Sequence, residues 1–197
     1  MDCALVFIPC RNFFMKKNFF AELITIGDEL LKGSTLNTNA KFLGKELTDL
    51  GFRVTGQIAC PDMISAIQLK IDEALHRSDL IILTGGLGPT PDDLTRDAIA
   101  AYFNTPLIFS KLQFLRIQSL YRRYGKKIPS IVRKEAMFPK GSFPLINRFG
   151  IALGFYLISG RHLMIVLPGV PMELEKMFAG VPGRYFVRGL TAGAVKG

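Results

Sequence analysis

Residues 80–83 are apolar at every position, with no alternation, and run directly into Gly85, Gly86, Gly88 and Pro89. A short unbroken apolar run bounded by turn residues suits a strand buried on both faces, as in a parallel sheet covered by helices. The flanking sequence agrees. AELITIG (21–27) and FRVTGQIA (52–59) read as two further strands. Between them, residues 38–50 set Ala40, Leu43, Leu47 and Leu50 on one helical face, and Gly51 stops the helix. Residues 63–77 repeat the helical pattern with Ile64, Ile67, Ile71 and Leu75, and residues 94–103 begin another helix. Strands alternating with helices predict an α/β fold with a mostly parallel sheet and helices on both faces. FPLIN (143–147), IALGFYLIS (151–159) and HLMIVLPG (162–169) read as a mixed edge of that sheet, and a short helix follows over 171–178. Residues 21–178 are expected to form the domain. Residues 1–20 read as an N-terminal extension, with Met15 as an alternative start, and 179–197 as a tail or the start of a linker.

Composition narrows the classes. At 49% hydrophobic and 21% charged, the chain is not of a disordered type. Its longest charge-free stretches, 80–91 and 98–110, fall short of the roughly 20 residues a spanning helix needs, so no membrane segment is expected. The cysteines (Cys3, Cys10, Cys60) are odd in number and lack a CxxC spacing, which argues against a disulfide framework or zinc site and fits a reducing cytoplasm. The net charge of +9 concentrates in residues 111–134, which hold eight Lys/Arg and no acid. Phe114, Tyr121 and Tyr124 in that stretch suit one face of a helix. A solvated helix face is the first reading, steering of an anionic small substrate the second, and nucleic acid the last, because no nucleic-acid motif accompanies the charge.

The turn after the apolar run, TGGLGPTPDD, carries the chemistry. It matches neither common phosphate fingerprint. One reading is mechanical: Thr90 caps a helix, Pro91 opens it, and Asp92 and Asp93 sit in its first turn. The other starts from position, because ligands of open α/β sheets bind at the carboxyl ends of strands. There, backbone groups of Gly85, Gly86 and Gly88 would cradle a phosphate, and Asp92 and Asp93 would hold a divalent cation between themselves and it. Gly27, Asp28 and Glu29 follow the first strand and Asp62 the second, so three strands end in acids. Asp62 also suits an N-cap. Asn37 and Asn147 are candidates for ribose or base contacts. His76 and His162 end a helix and open a strand, and neither is expected to act in chemistry.

Four blocks carry a resemblance: AELITIGDELLKGSTLNTNAKFLGKELTDLGF, TGGLGPTPDDLTRDAIA, RKEAMFPKGSFPLINRFGIALGF and LPGVPMELEKMF. Together they resemble the N-terminal domain of the CinA (competence/damage-inducible protein A) family, within the molybdopterin-binding superfamily that includes the MogA, MoaB and MoeA proteins. Leu87 stands where the molybdenum-cofactor branch has threonine. The resemblance implies a three-layer α/β/α, MogA-like fold and metal-dependent hydrolysis of a nucleotide pyrophosphate, ADP-ribose giving AMP and ribose 5-phosphate. It implies Mg²⁺, Mn²⁺ or Co²⁺ as cofactor, with Asp28, Asp92 and Asp93 as metal ligands and Asp62 and Asp93 as catalytic groups. Substrate binding would fall to Gly27, Asn37, Gly85, Gly86, Gly88, Thr90, Asn147 and Gly169. A nucleotide as small-molecule partner, a homo-oligomer of two or three copies and a cytoplasmic location are expected, with neither nucleic acid nor membrane as partner. The alternatives are a non-catalytic nucleotide- or molybdopterin-binding module and a molybdopterin-handling transferase. The third block departs from the family's N..GTAPGF, with Ile151 for the threonine and Leu153 for the proline. Full-length members also carry a nicotinamide mononucleotide deamidase domain, for which this sequence leaves no room.

Overall fold

The computed structural model describes residues 19–180. The extension before residue 19 and the tail after residue 180 lie outside the described residues. In chain order the elements are β1 (Phe19–Ile26), α1 (Asp28–Leu31), α2 (Thr38–Asp49), β2 (Phe52–Cys60), α3 (Ile64–Arg77), β3 (Leu80–Thr84) and α4 (Thr95–Tyr102). They continue with β4 (Leu107–Phe109), α5 (Lys111–Arg123), a 3-10 helix (Ser130–Ala136), β5 (Met137–Pro139), β6 (Phe143–Leu145), β7 (Gly154–Ser159), β8 (His162–Leu167) and α6 (Pro171–Ala179).

The central sheet has the order β2-β1-β3-β8-β7-β6. β2, β1, β3 and β8 are mutually parallel, and β7 and β6 complete the sheet by antiparallel pairing. Side-chain alternation divides the core into two layers. Ile24, Ile26, Ile81, Leu83, Met164 and Val166 pack with Ile67 and Ile71 of α3 and Ala98 and Ile99 of α4. On the opposite face Leu23, Leu80, Ile82, Leu163 and Ile165 pack with Leu43 and Leu47 of α2 and Leu174 and Phe178 of α6. All four apolar residues of 80–83 are fully buried, two on each face. The three-layer α/β/α expectation holds.

Several details differ from the sequence reading. β8 is not an edge strand. It lies beside β3 in the sheet interior, because the excursion from α4 to β7 folds outward and returns. A small antiparallel pair, β4 with β5, was not anticipated. Ile64 and Tyr124 were expected on buried faces but are 39% and 71% exposed: Ile64 opens its helix, and Tyr124 lies just past the end of α5. The basic stretch 111–134 is not one solvated helix. It breaks after Arg123, and the guanidinium of Arg133 stacks 4.4 Å from the centroid of Phe109.

The chain connects β1 to β2 on one side and reaches β3 on the other, so the strand order reverses between β1 and β3. Open α/β sheets bind ligands at such a switch point, beyond the carboxyl ends of the strands. Gly85 sits there with φ 101°, and a Cβ on it would collide with the carbonyl of Ile26. Gly141 has a similar φ of 87° but open space around it. Gly85→Ala should therefore destabilise by about 3 kcal/mol or more and Gly141→Ala by only about 1 kcal/mol. Urea unfolding of the two variants measures the difference, and equal losses would show that the approach of the two chain segments carries no strain.

Candidate functional site

Beyond the strand ends lies a cavity of about 510 Å³. All four parallel strands deliver chain to it: Ile26 and Gly27 after β1, Asp62 after β2, Gly85–Gly88 after β3, and Pro168–Val170 after β8. Six carboxylates line it, those of Glu29, Asp62, Asp92, Asp93, Glu135 and Glu173, and no Lys, Arg or His does so among the described residues.

Each acid is held by its local chain. Asp93 closes the turn that follows β3. Its carboxylate accepts the N–H of Gly88 at 2.7 Å, the N–H of Thr90 at 2.8 Å and the Thr90 hydroxyl at 2.5 Å. Contrary to the capping expectation, α4 begins only at Thr95, and residues 90–93 form a separate turn ahead of it. Lys134 fastens that turn from outside. Its ammonium donates to the Asp93 carbonyl at 2.8 Å and lies 3.4 Å from the Asp97 carboxylate. One cation of the basic stretch thus supports the acidic turn directly.

Asp28 and Asp62 cross-link the ends of β1 and β2: the Asp28 N–H donates to Asp62 at 3.0 Å, and the Asp62 N–H donates to Asp28 at 3.4 Å. Asp62 is not an N-cap, since that position falls on Met63. Burial raises the Asp62 pKa, with the bond from the Asp28 N–H opposing and the charges of Glu29, Asp28 and Asp93 adding to the rise. Glu135, on the 3-10 helix, is 5% exposed. Burial pushes its pKa up to about 7; the nearby Arg96 charge opposes the shift, and Asp93 and Glu173 reinforce it. Arg96 is wholly buried beneath the site and donates to the carbonyls of Leu87 and Lys134. It pins the β3 turn to the 3-10 helix.

The glycines serve this acid set. A Cβ on Gly27 would meet the carboxylate of Glu29, one on Gly88 that of Asp93, and one on Gly150 that of Glu173. Three carboxylates therefore lie against bare backbone. The expected phosphate cradle is partly occupied by the fold, because Gly85 donates its N–H to Leu167 and Gly88 donates its own to Asp93.

Of the residues anticipated from sequence, Gly27, Asp62, Gly85, Gly86, Gly88, Asp92, Asp93 and Gly169 line the cavity. Asp28, Asn37, Thr90 and Asn147 do not. Asp28 lies outside, paired with Lys32 at 3.2 Å. Asn37 caps α2 and donates to Thr25. Asn147 is fully buried; it accepts the N–H groups of Phe149 and Gly150 and donates to Glu173 at 2.5 Å, so it orients that acid. Sequence reasoning passed over Glu29 as a ligand and missed Glu135 and Glu173. Glu135 precedes β5 on the 3-10 helix, and Glu173 stands in the first turn of α6, beyond β8.

The donor set suits a hard divalent cation, which oxygen ligands bind. Among the described residues no three His, Cys, Asp or Glu side chains converge tightly enough to hold a metal alone. Mg²⁺, however, typically takes only one or two carboxylates and completes its shell with water and substrate phosphates. The residues present fit an ion of that bridging kind.

A three-layer α/β domain with a ligand cavity over the ends of four parallel strands is the class that the fold and site define. Residues 22–182 match the family model described as "Probable molybdopterin binding domain". The chain belongs to this molybdopterin-binding domain family, and its relatives assign it to the CinA branch. It is 41% identical over 162 residues to a CinA-like protein of Chlorobaculum tepidum, covering 80% of this chain and 38% of that protein. The chain likewise spans 38% of the length of other curated relatives it matches. The crystal structure of CinA from Thermoplasma acidophilum superposes with a TM-score of 0.76 at 34% identity, covering 83% of this chain and 96% of that one. The tungsten cofactor synthesizing protein MoaB of Pyrococcus furiosus shares the fold, with a TM-score of 0.56 at 17% identity over 86% of this chain and 94% of that one. No helix among the described residues is long and apolar enough to cross a membrane.

The Glu135 shift has a consequence for stability. Between its ordinary value of 4.5 and about 7, the folded state holds a proton that the unfolded chain has released. Unfolding then loses a bound proton, so this group's contribution is full below pH 4.5 and declines as pH rises to about 7. Glu135→Gln, which cannot ionise, should gain Tm relative to the parent across that window and hold a constant difference above it. A Tm difference independent of pH would show that Glu135 ionises normally in the folded protein.

Proposed function

We propose that the acidic cavity binds a small phosphorylated ligand, a nucleotide or a pterin, together with a divalent cation. One observation carries the reading: among the described residues, six carboxylates and no cationic side chain line a cavity at the switch point of an α/β sheet. A bare phosphate would be repelled there. When bound, a divalent ion supplies the positive charge that lets carboxylates and phosphate share the site. Asp62, Asp93 and the exposed Asp92, which line the cavity, would hold the ion. The family description names molybdopterin, a phosphate-bearing pterin, and carboxylates also suit the N–H-rich edge of a pterin ring. Two or three copies in solution and a cytoplasmic location belong to the same reading. Isothermal titration with AMP and with ADP-ribose tests it. Binding should be measurable with Mg²⁺ or Mn²⁺ and fall at least about tenfold after chelation. Equal affinity in chelator would overturn the cation's part, and no binding of either nucleotide or of a phosphorylated pterin would overturn the site.

Hydrolysis of a nucleotide pyrophosphate is the second reading, and Glu135 favours it. A carboxyl group with a pKa of about 7 on a cavity wall is matched to proton transfer near neutrality. In this reading water adds to one phosphorus of ADP-ribose, the anhydride P–O bond breaks, and AMP and ribose 5-phosphate leave. Glu135 accepts the water's proton, while Asn147 keeps Glu173 oriented beside it. Incubation with ADP-ribose and Mg²⁺, Mn²⁺ or Co²⁺ should release AMP, and Glu135→Gln should slow release by about a hundredfold or more. A protein that binds ADP-ribose but releases no AMP with any of the three ions is a binding module and not a hydrolase.

A further inference from the structure

A second cavity of about 290 Å³ opens beside the acidic one, and Gly150 and Ile151 line both. Its walls differ in kind. Tyr121 and Tyr124 come from the end of α5, Phe149 from the turn that Asn147 holds, and Lys126 stands at the rim. No carboxylate lines it among the described residues. We propose that this slot is a ring-binding subsite, in which a planar heteroaromatic base stacks on tyrosine and phenylalanine while the phosphate end of the same ligand lies in the acidic cavity.

Three observations carry the assignment. Aromatic side chains are large, stiff stacking surfaces, and stacking on them is the sequence-tolerant way proteins hold nucleobases. Here they are exposed, Tyr124 by 71% and Phe149 by 46%, in a position where no fold contact demands such exposure of Tyr124. The wall shared by the two cavities is also fixed and apolar. Gln113, itself 1% exposed, donates to the Ile151 carbonyl at 2.6 Å, and Ile151 packs against Ile117 and Val132. Ile151 thereby presents an apolar edge to the slot. Finally, the charges are sorted. Lys126 belongs to the slot, Lys176 lies 4.8 Å from the centroid of the Phe149 ring, and the acids stay in the neighbouring cavity. The arrangement fits a ligand with an electron-rich ring at one end and a cation-complexed phosphate at the other.

The proposal rests on the reading of the acidic cavity as the phosphate end, and the test separates the two. The parent protein and Tyr124→Ala are titrated, in Mg²⁺, with AMP, ribose 5-phosphate, adenosine and neopterin. Tyr124 is exposed enough that its removal should leave the Tm unchanged. AMP should bind the parent about tenfold more tightly than ribose 5-phosphate does, and the advantage should vanish in Tyr124→Ala while ribose 5-phosphate is unaffected. A stronger response to neopterin than to adenosine supports the subsite with a pterin as its ring. Adenosine or neopterin binding that depends on Tyr124 in a protein blind to ribose 5-phosphate supports the slot and overturns the phosphate site. The subsite is overturned if AMP and ribose 5-phosphate bind the parent equally, if the AMP advantage survives in Tyr124→Ala, or if no ring-bearing probe binds.

Discussion

Three chain segments meet at Gly85, and the site depends on that meeting. The Gly85 backbone lies against the Ile26 carbonyl at the end of β1, its N–H donates to the Leu167 carbonyl at the end of β8, and Gly169 packs so that a Cβ would lie 3.2 Å from the Gly85 Cα. Parallel strands normally fan apart beyond the sheet as it twists. Removing side chains where β1, β3 and β8 end lets the following loops approach and share one cavity. The buried cation below completes the arrangement. Arg96 bonds to the carbonyls of Leu87 and Lys134, so the β3 turn and the 3-10 helix that carries Glu135 are fixed relative to one another. The relative placement of the cavity walls is thus set by close backbone approaches and by one buried arginine bonded to main-chain carbonyls.

Much of this was legible in the sequence because it follows from periodicity. The unbroken run at 80–83 announced a strand covered on both faces, and the spacing of Leu43 with Leu47 and of Ile67 with Ile71 announced its covering helices. The acids after β1, β2 and β3 were visible because a parallel strand's carboxyl end is a known address for ligands. Glu135 had no such address, and Glu173 follows β8, which was read as part of a mixed edge and not as a parallel strand. Glu135 is a single acid in a segment read for other reasons, and the excursion from α4 to β7 brings it to the cavity, whereas Glu173 reaches it from the first turn of α6. The same non-local step hid the interior position of β8, since three consecutive apolar runs give no sign of which one returns to the centre. Lys134 was misread with its neighbours: a run of like charges suggests one solvated face, but α5 ends at Arg123 and the chain beyond it carries this lysine inward to Asp93.

Asp93 illustrates why a turn-closing role and the proposed ligand role need not exclude one another. Its two carboxylate oxygens accept three donors from Gly88 and Thr90. Those bonds hold the turn closed and lower the freedom of the carboxylate itself. A pre-oriented ligand loses less entropy on binding a cation than a mobile one. Asn147 does the same for Glu173, and the backbone of Gly88 and Gly150 makes room for both acids. Stability and function draw on the same bonds, so a substitution in this turn changes both together.

The distribution of charge then defines what the site admits. A chain carrying +9 attracts anions over its surface, most strongly along the exposed cations of α5 and the loop beyond it. That attraction is screened over about 10 Å at 0.1 M salt, so it raises encounter without discriminating among anions. Discrimination begins at the cavity, where six carboxylates oppose any anion that arrives without a cation. Simple anions drawn by the surface would be turned away there. On the proposed reading, a phosphate complexed with a divalent ion would be accepted, and the neighbouring aromatic slot would favour one that carries a ring. Under that proposal, surface and cavity of opposite sign would act as two successive filters, the first fast and general, the second selective for a metal-complexed phosphate.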